Sequence, residues 1–260
     1  MVCGVLNVTP DSFSDGGKWA GPAAALDHAL RMEAEGADMI DIGGESSRPG
    51  SAPVSLEEEK RRVLPLLKSL AGRLKVPVSV DTRKPELAVL AVKAGADIIN
   101  DITGFVSSSM MKAAADSGAG AIVMHMLGEP GTMQAAPVYK DVVAEVRDFL
   151  AGRAAALAAA GVKDIILDPG IGFGKTLEHN LALIAGLGKI RALGYPVMLG
   201  VSRKQFIGVL AGGEPHERFS GTIAACVAGA ERGADIVRVH DVAECRKAML
   251  VADAIRCAGK

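Results

Sequence analysis

One phrase recurs along this chain. Lys93-Ala-Gly-Ala-Asp-Ile-Ile-Asn-Asp101 is echoed by Glu35-Gly-Ala-Asp-Met-Ile-Asp41 and by Arg232-Gly-Ala-Asp-Ile-Val-Arg238. Looser copies run from Ser117-Gly118 into Ala121–His125, from Ala160-Gly161 into Ile165–Asp168, and from Leu193-Gly194 into Pro196–Leu199. Each copy reads as a helix end, a glycine able to take the left-handed conformation that stops it, a short buried strand, then polar residues. A repeated αβ unit confines the chain to folds in which parallel strands alternate with helices. It also gathers the unusual polar residues at one end of the strands.

Eight strands are predicted: Val2 to Val8, Met39 to Ile42, Val78 to Val80, Ile98 to Asp101, Ala121 to His125, a sixth ending in Asp168, Val197 to Val201, and Ile236 to Val239. Helices fill the gaps, among them Pro22 to Ala34, one opened by the capping-box spacing Ser55–Glu58, one from Pro85, one from Thr176 to the seventh strand, a short one near Lys204, about Phe219 to Glu231, and a last from Val242 to about Arg256. No G-x-G-x-x-G follows the first strand, which weighs against an open dinucleotide-binding sheet. No linker or shift in composition breaks the series. The expectation is an α/β chain forming a (β/α)8 TIM barrel, a single domain over residues 1–260.

Composition sharpens this. Half the residues are hydrophobic (49%) but only 3% are aromatic, so the core must come from Val, Ile, Leu and Ala. A net charge of −1 argues against a nucleic-acid partner or a membrane surface, both of which favour a basic face. Cys3, Cys226, Cys245 and Cys257 show neither ligand spacing nor a paired framework and read as reduced thiols of a cytoplasmic protein, the three on helices as core packing. No run is long enough to span a bilayer, and no signal peptide is evident.

The strand ends carry Asn7, Asp41, Asp81, Asn100, Asp101, His125, Asp168, Arg203, Lys204, Arg238 and His240. Singly, most have plain readings: Asp41 or Asp101 as a helix cap, His125 as a satisfied core histidine, His28, His179 and His216 as solvated. Together, so many carboxylates, amides and cations at a barrel mouth call for a polar ligand. Asp81, Asn100 and Asp168 offer acceptors to a flat ring with adjacent N–H donors. Arg48, Arg203, Arg238, His240 and the helix start near Lys204 suit an anion. The implied ligand is a hydrogen-bonding heteroaromatic ring joined to a phosphate-like group.

The same residues carry a resemblance. Asn7-Val-Thr-Pro-Asp-Ser-Phe-Ser-Asp-Gly-Gly17, Asp41-Ile-Gly-Gly-Glu-Ser-Ser-Arg-Pro-Gly50, Val80-Asp-Thr-Arg83, Ile99-Asn-Asp-Ile102, Asp168-Pro-Gly-Ile-Gly-Phe-Gly-Lys175, Gly200-Val-Ser-Arg-Lys204 and Arg238-Val-His240 closely resemble, in order, the motifs of the bacterial dihydropteroate synthases. The resemblance implies an enzyme of folate biosynthesis, the target of sulfonamides. Such an enzyme condenses 6-hydroxymethyl-7,8-dihydropterin diphosphate with 4-aminobenzoate, by a dissociative mechanism, to 7,8-dihydropteroate and pyrophosphate.

It implies that Asp81, Lys204, Arg238 and His240 are catalytic. Asp81, Asn100, Met124, Asp168, Gly200 and Lys204 would hold the pterin. Asn7, Ser47, Arg48, Arg238 and His240 would hold the diphosphate. Phe13, Ser47, Arg48, Pro49, Phe173, Lys204 and Gln205 would surround the 4-aminobenzoate, on and beside two mobile loops. Mg²⁺ would lie near Asn7 and Asp15, and a homodimer would form through the last helices.

Ser47 and Gln205 stand where the family commonly has Thr and Ser. Members also carry residues before the first strand that this chain lacks, so the barrel floor is expected to be less covered. The competing readings are a pterin-binding methyltransferase barrel, which has no diphosphate to hold, a non-catalytic pteridine-binding paralogue, and a generic sugar-phosphate barrel enzyme.

Overall fold

The computed structural model describes residues 1–9, 22–47 and 50–258. Its strands are β1 (Val2–Asn7), β2 (Met39–Gly43), β3 (Val78–Asp81), β4 (Ile98–Asp101), β5 (Gly120–Met124), β6 (Ile165–Asp168), β7 (Met198–Gly200) and β8 (Ile236–Val239). All pairings are parallel, in the order β6-β5-β4-β3-β2-β1-β8-β7. A parallel bridge from Leu167 to Val197 joins the two outer strands. The expected (β/α)8 barrel is therefore present.

The helices are α1 (Pro22–Ala34), α2 (Leu56–Leu70), α3 (Pro85–Lys93), α4 (Ser108–Ser117), α5 (Val142–Ala159), α6 (Leu177–Ala185), α7 (Leu187–Arg191), α8 (Gln205–Ala211), α9 (Phe219–Glu231) and α10 (Val242–Ala258). The single helix expected from Thr176 is two, α6 and α7, divided at Gly186. A Cβ there would meet Val143 of α5 at 2.9 Å, so the chain turns where α5 presses closest. Strand ends differ slightly from the sequence reading: Val8, His125, Val197 and Val201 fall just outside β1, β5 and β7. Among the described residues no helix is long and apolar enough to cross a membrane.

Strand alternation sorts the side chains. Leu6, Ile40, Ile42, Val80, Ile99, Val123, Leu167, Leu199 and Val237 pack outward against the helices. Cys3, Met39, Ile122, Met198 and Ile236 form a separate cluster inside the barrel, with Ile98 and Ile166 partly covered beside it. Two residues further along the strands the inward positions become Asp41, Asn100, Asp168, Gly200 and Arg238. The lower barrel is thus filled with hydrocarbon and its upper end is polar.

The six glycines of the repeat, Gly36, Gly95, Gly118, Gly161, Gly194 and Gly233, all have positive φ, from 70° to 115°. They end their helices as the sequence predicts. The aspartate of the three tight copies has a role the sequence did not reveal. Asp38, Asp97 and Asp235 each accept a hydrogen bond from the first N–H of the preceding strand region, at Val2 (2.8 Å), Val78 (2.8 Å) and Val197 (2.9 Å). Each returns its own backbone N–H to the same residue's carbonyl. The repeat is therefore a clasp that registers one strand on the next at the barrel floor.

Of the helix cysteines, Cys226 and Cys245 are buried as expected but Cys257, near the end of α10, is exposed.

The clasp is testable. Asp97→Ala leaves the Val78 N–H without its acceptor in a poorly solvated place and should cost about 1–3 kcal/mol in urea unfolding. Asp97→Asn keeps an oxygen there and should cost less than about 1 kcal/mol. Equal losses would assign the effect to charge instead.

Candidate active site

At the centre of the mouth sits Asp41 of β2, with no solvent exposure. Its Oδ2 accepts from Arg238 Nε at 2.7 Å and Asn100 Nδ2 at 3.1 Å, and lies 2.6 Å from Arg238 Nη2 in the same ion pair. Its Oδ1 accepts from the Ser79 hydroxyl. The helix-cap reading therefore fails for Asp41. It fails for Asp101 as well: α4 begins at Ser108 behind Ser107, and the Asp101 carboxylate instead accepts from the Thr103 and Phe105 N–H groups of the turn after β4.

Arg238 also reaches Asp81 Oδ2 at 3.2 Å. Burial pushes the Asp81 carboxyl up to about 8, the Asp41 carboxylate adding to the rise and Arg238 opposing it. Gly43 stands between Asp81 and Asn7: a Cβ on it would lie 3.6 Å from Asn7 Oδ1 and from Asp81 Cβ. Asp81, Asn100 and Arg238 are thus brought together around Asp41, which taken singly had read as a helix cap, and Asn7 lies beside Asp81 across Gly43. Ser79 was missed by the sequence reading. The one available signal was a hydroxyl between two valines, inward by period two.

A second group lies on β6 and β7. Asp168 is buried, and its Oδ1 accepts the Gly170 N–H at 2.7 Å. Burial raises this carboxyl, against the pull of Lys204 and the Gly170 N–H. Lys204, the N-cap of α8, donates to the Ile171 carbonyl, and its Nζ stands 4.8 Å from the centre of the Phe173 ring. Burial brings its ammonium down to about 8, Asp168 holding it up and Arg238 pressing it down. Gly200 joins the two groups. A Cβ there would lie 3.7 Å from Lys204 Nζ, 3.9 Å from Asp168 Oδ2 and 4.0 Å from Arg238 Cβ. Buried Met124 lies against Gly170.

The remaining expected residues fall as follows. His240 follows β8, with Nδ1 3.0 Å from the Ser202 hydroxyl. Ser47, half-buried, lines a cleft with Asp81 and Arg83. Gln205 opens α8 and is exposed. Phe13, Asp15, Arg48 and Pro49 lie outside the described residues. Arg203, expected beside the anion, is held in a two-point ion pair with Asp241, through Nε at 3.0 Å and Nη2. His179 is half-buried rather than solvated and closes the capping box of α6 with Thr176. His125 is the satisfied core histidine expected of it, 2.9 Å from Lys175 Nζ.

The loop behind Ser47 is tied down by charge. Glu45 accepts from Arg83 at 2.9 Å and from Lys84, and Lys84 also pairs with buried Glu59 of α2. Chemically the mouth combines ring-sized acceptors, two adjacent cations and a glycine left bare between them.

Comparison with known proteins agrees with this geometry. The family described as "Pterin binding enzyme" matches residues 3–240. The dihydropteroate synthase of Escherichia coli K12 is 48% identical over 255 residues, covering 97% of this chain and 90% of the relative. Two solved structures superpose closely. The Xanthomonas albilineans dihydropteroate synthase with 4-aminobenzoic acid has a TM-score of 0.92 at 46% identity, covering 98% of this chain and 92% of that one. The Burkholderia cenocepacia dihydropteroate synthase complexed with 7,8-dihydropteroate has a TM-score of 0.90 at 48% identity, covering 100% and 92%. With its motifs in order, its polar strand ends in one mouth and these relatives matching nearly end to end, the chain belongs to the dihydropteroate synthases of the pterin-binding enzyme family.

Proposed function

We propose that this chain joins 4-aminobenzoate to the methylene carbon of 6-hydroxymethyl-7,8-dihydropterin diphosphate by a dissociative route, releasing pyrophosphate. One observation carries the reading: buried Asp168 and the Lys204 ammonium meet at bare Gly200, beside Arg238, with the Phe173 ring against that ammonium. That is a planar acceptor site placed directly against cationic groups. The Xanthomonas relative holds 4-aminobenzoic acid and the Burkholderia relative holds 7,8-dihydropteroate, the acceptor and the product of this reaction.

In this reading Asp168 accepts the pterin 2-amino and N3 hydrogens. Asn100 and Asp81 hold other ring nitrogens, Met124 and Gly200 line the ring, and Lys204 reaches its O4/N5 side. Asn7, Ser47, Arg48, Arg238 and His240 take the diphosphate. Phe173 packs on the benzoate ring, with Phe13, Ser47, Pro49 and Gln205 around it.

The methylene C–O bond breaks and its electron pair leaves with the diphosphate. Arg238 and His240 stabilise that departing charge, and Asp81 and Asp168 stabilise the pterin-centred cation. The neutral amine of 4-aminobenzoate then forms the new C–N bond and loses a proton to the departing diphosphate or to solvent. No protein nucleophile is required.

Asn7 offers one neutral, hard oxygen at the end of β1. Among the described residues no group of three or more His, Cys, Asp or Glu could hold a metal ion. That donor set fits Mg²⁺, which binds through few protein oxygens together with substrate phosphates. Asn7 and Asp15 would hold it, and when bound it neutralises leaving-group charge. We also place the enzyme in the cytoplasm as a homodimer. Exposed Val209 and Leu210 on α8 and Leu250, Val251 and Ile255 on α10 flank α9 and suit a second copy.

Three outcomes follow. Asp168→Asn keeps the oxygen that caps Gly170 but loses the charged double acceptor. Pterin affinity in calorimetry should fall by about 2–3 kcal/mol with the melting temperature held, and unchanged affinity would end this assignment. Pyrophosphate release from the pterin diphosphate should require 4-aminobenzoate for sustained turnover and should stop reversibly on chelation. Full turnover in excess chelator would remove the metal from the scheme. Val251→Lys with Ile255→Lys should convert a dimer to a monomer in equilibrium sedimentation, and a wild-type monomer at micromolar concentration would refute the dimer.

A further inference from the structure

We propose that Lys175, which touches neither substrate in the reading above, is a positioning residue: its ammonium ties the loop after β6 to the end of β5 and so holds Asp168 in place and in its ionised form. The inference rests on the reading of Asp168 as the ring-binding carboxylate.

Lys175 is buried, 3% exposed, at the far end of the glycine-rich loop that begins at Asp168. Its Nζ lies 2.9 Å from His125 Nδ1, 3.3 Å from the His125 carbonyl and 2.9 Å from the Phe173 carbonyl. An ammonium has three protons, and here each has an acceptor. For Nδ1 to accept, the imidazole must be neutral. Burial, and then the Lys175 charge, lower His125 to about 3, which keeps it so. The ring is fixed edge-on by Phe149 at 5.0 Å and lies 6.1 Å from Tyr139.

The consequence reaches the site along the backbone. Gly170 passes so near the His125 carbonyl that a Cβ would fall 1.9 Å from its oxygen. The loop can follow this path only while something holds its two sides together. Lys175 does so, helped by Tyr139 Oη on the Gly174 carbonyl at 3.0 Å and Asn180 Oδ1 on the Gly172 N–H at 2.7 Å. On that path lie the Gly170 N–H that orients Asp168, the Ile171 carbonyl that receives Lys204, and the Phe173 ring.

Charge acts alongside geometry. Lys204, Arg238 and Lys175 all pull the Asp168 proton off against its burial. Lys175 is faced in turn by Asp168 on β6, Lys204 at α8 and His125 after β5. Tyr139 of the β5–α5 loop and His179 of α6 lie in the next contact, 4.9 Å apart. Burial, with Lys204 adding to it and Asp168 opposing, brings Lys175 to about 7. Its ammonium is therefore the prevailing form below neutral pH.

The test is calorimetric binding of 6-hydroxymethylpterin, which lacks the diphosphate, between about pH 5.5 and 8.5, with inorganic pyrophosphate as the control ligand. Wild-type affinity should fall as pH drops, because protonated Asp168 presents a donor to ring donors. In Lys175→Met the Asp168 pKa loses a lowering charge. The acid limb should move to higher pH by about half a unit or more, and affinity on that limb should fall about threefold or more. Pyrophosphate affinity should stay within about twofold. His125→Phe, which keeps the ring packing and removes one acceptor, should shift the limb the same way by less, and it decides the matter if Lys175→Met does not fold. An unmoved limb in these variants, or an affinity loss equal at every pH, would overturn the proposal. If Asp168→Asn itself binds the pterin as wild type does, the reading of Asp168 fails instead, so the two failures are distinguishable.

Discussion

The buried pair of Asp41 and Arg238 is the constraint on which this barrel mouth depends. A carboxylate with no exposure survives only when its lone pairs are met. Asp41 accepts three hydrogen bonds from three other strands, from Arg238 on β8, Asn100 on β4 and Ser79 on β3, and its ion pair with Arg238 adds the second guanidinium nitrogen. The network crosses the barrel interior where the hydrocarbon filling stops. It fixes the guanidinium in one orientation, and through it the neighbouring Asp81. Breaking such a pair by removing one partner characteristically costs about 3–5 kcal/mol, because the other charge is stranded. Arg238 therefore answers to stability as well as to any anion, and truncating it reads both roles at once. His240, with Nδ1 3.0 Å from the Ser202 hydroxyl, gives a second probe of the anion half.

The barrel explains why these groups meet. The aspartate clasps register the strands at the floor, and period-two alternation carries that register upward. Apolar inward residues such as Met39, Ile98 and Ile236 give way to Asp41, Asn100 and Arg238 two positions later. The loops then finish the site. The loop after β2 is fastened by Glu45 and Lys84 to Glu59, and the loop after β6 by Lys175 to His125. Neither fastening uses a residue assigned to substrate. Both place such residues, Ser47 in the first case and Asp168 with Phe173 in the second.

Much of this was legible in the sequence because it is local. A helix stop, a short β-branched strand and a polar end recur within nine residues, and six copies fix the class of fold. The polar strand ends could be listed for the same reason. What could not be read is pairing across the barrel. Arg238 and Asp41 are 197 positions apart, and nothing local tells whether Arg238 turns to Asp41 or to Asp241. The structure gives Asp241 to Arg203 instead, which removes Arg203 from the expected anion group. The clasp aspartates were visible as a repeat but not as acceptors, since their partners lie on the preceding strand. The break between α6 and α7 depends on Val143 of another helix. Lys175 looked like the last letter of a motif because its burial is a tertiary fact.

The charges in the mouth fit the proposed chemistry in a further way. Asp41, Asp81 and Asp168 stand against Arg238, Lys204 and Lys175. Burial raises Asp81 to about 8 and lowers Lys204 and Lys175 to about 8 and 7, so several groups sit near their midpoints at neutral pH. A site poised in this way adjusts its protons at small cost as charge arrives or departs. In a dissociative reaction the ligand changes from a single dianionic ester to a separated cation and anion. The carboxylates on the pterin side and the cations on the diphosphate side then strengthen their charged forms together. Preorganised groups of both signs, a few ångströms apart in a poorly solvated mouth, favour that separated state over the intact ester. A protein nucleophile would do the opposite by recombining with the cation, and beside Gly200 the Lys204 amine is held as a donor to the Ile171 carbonyl.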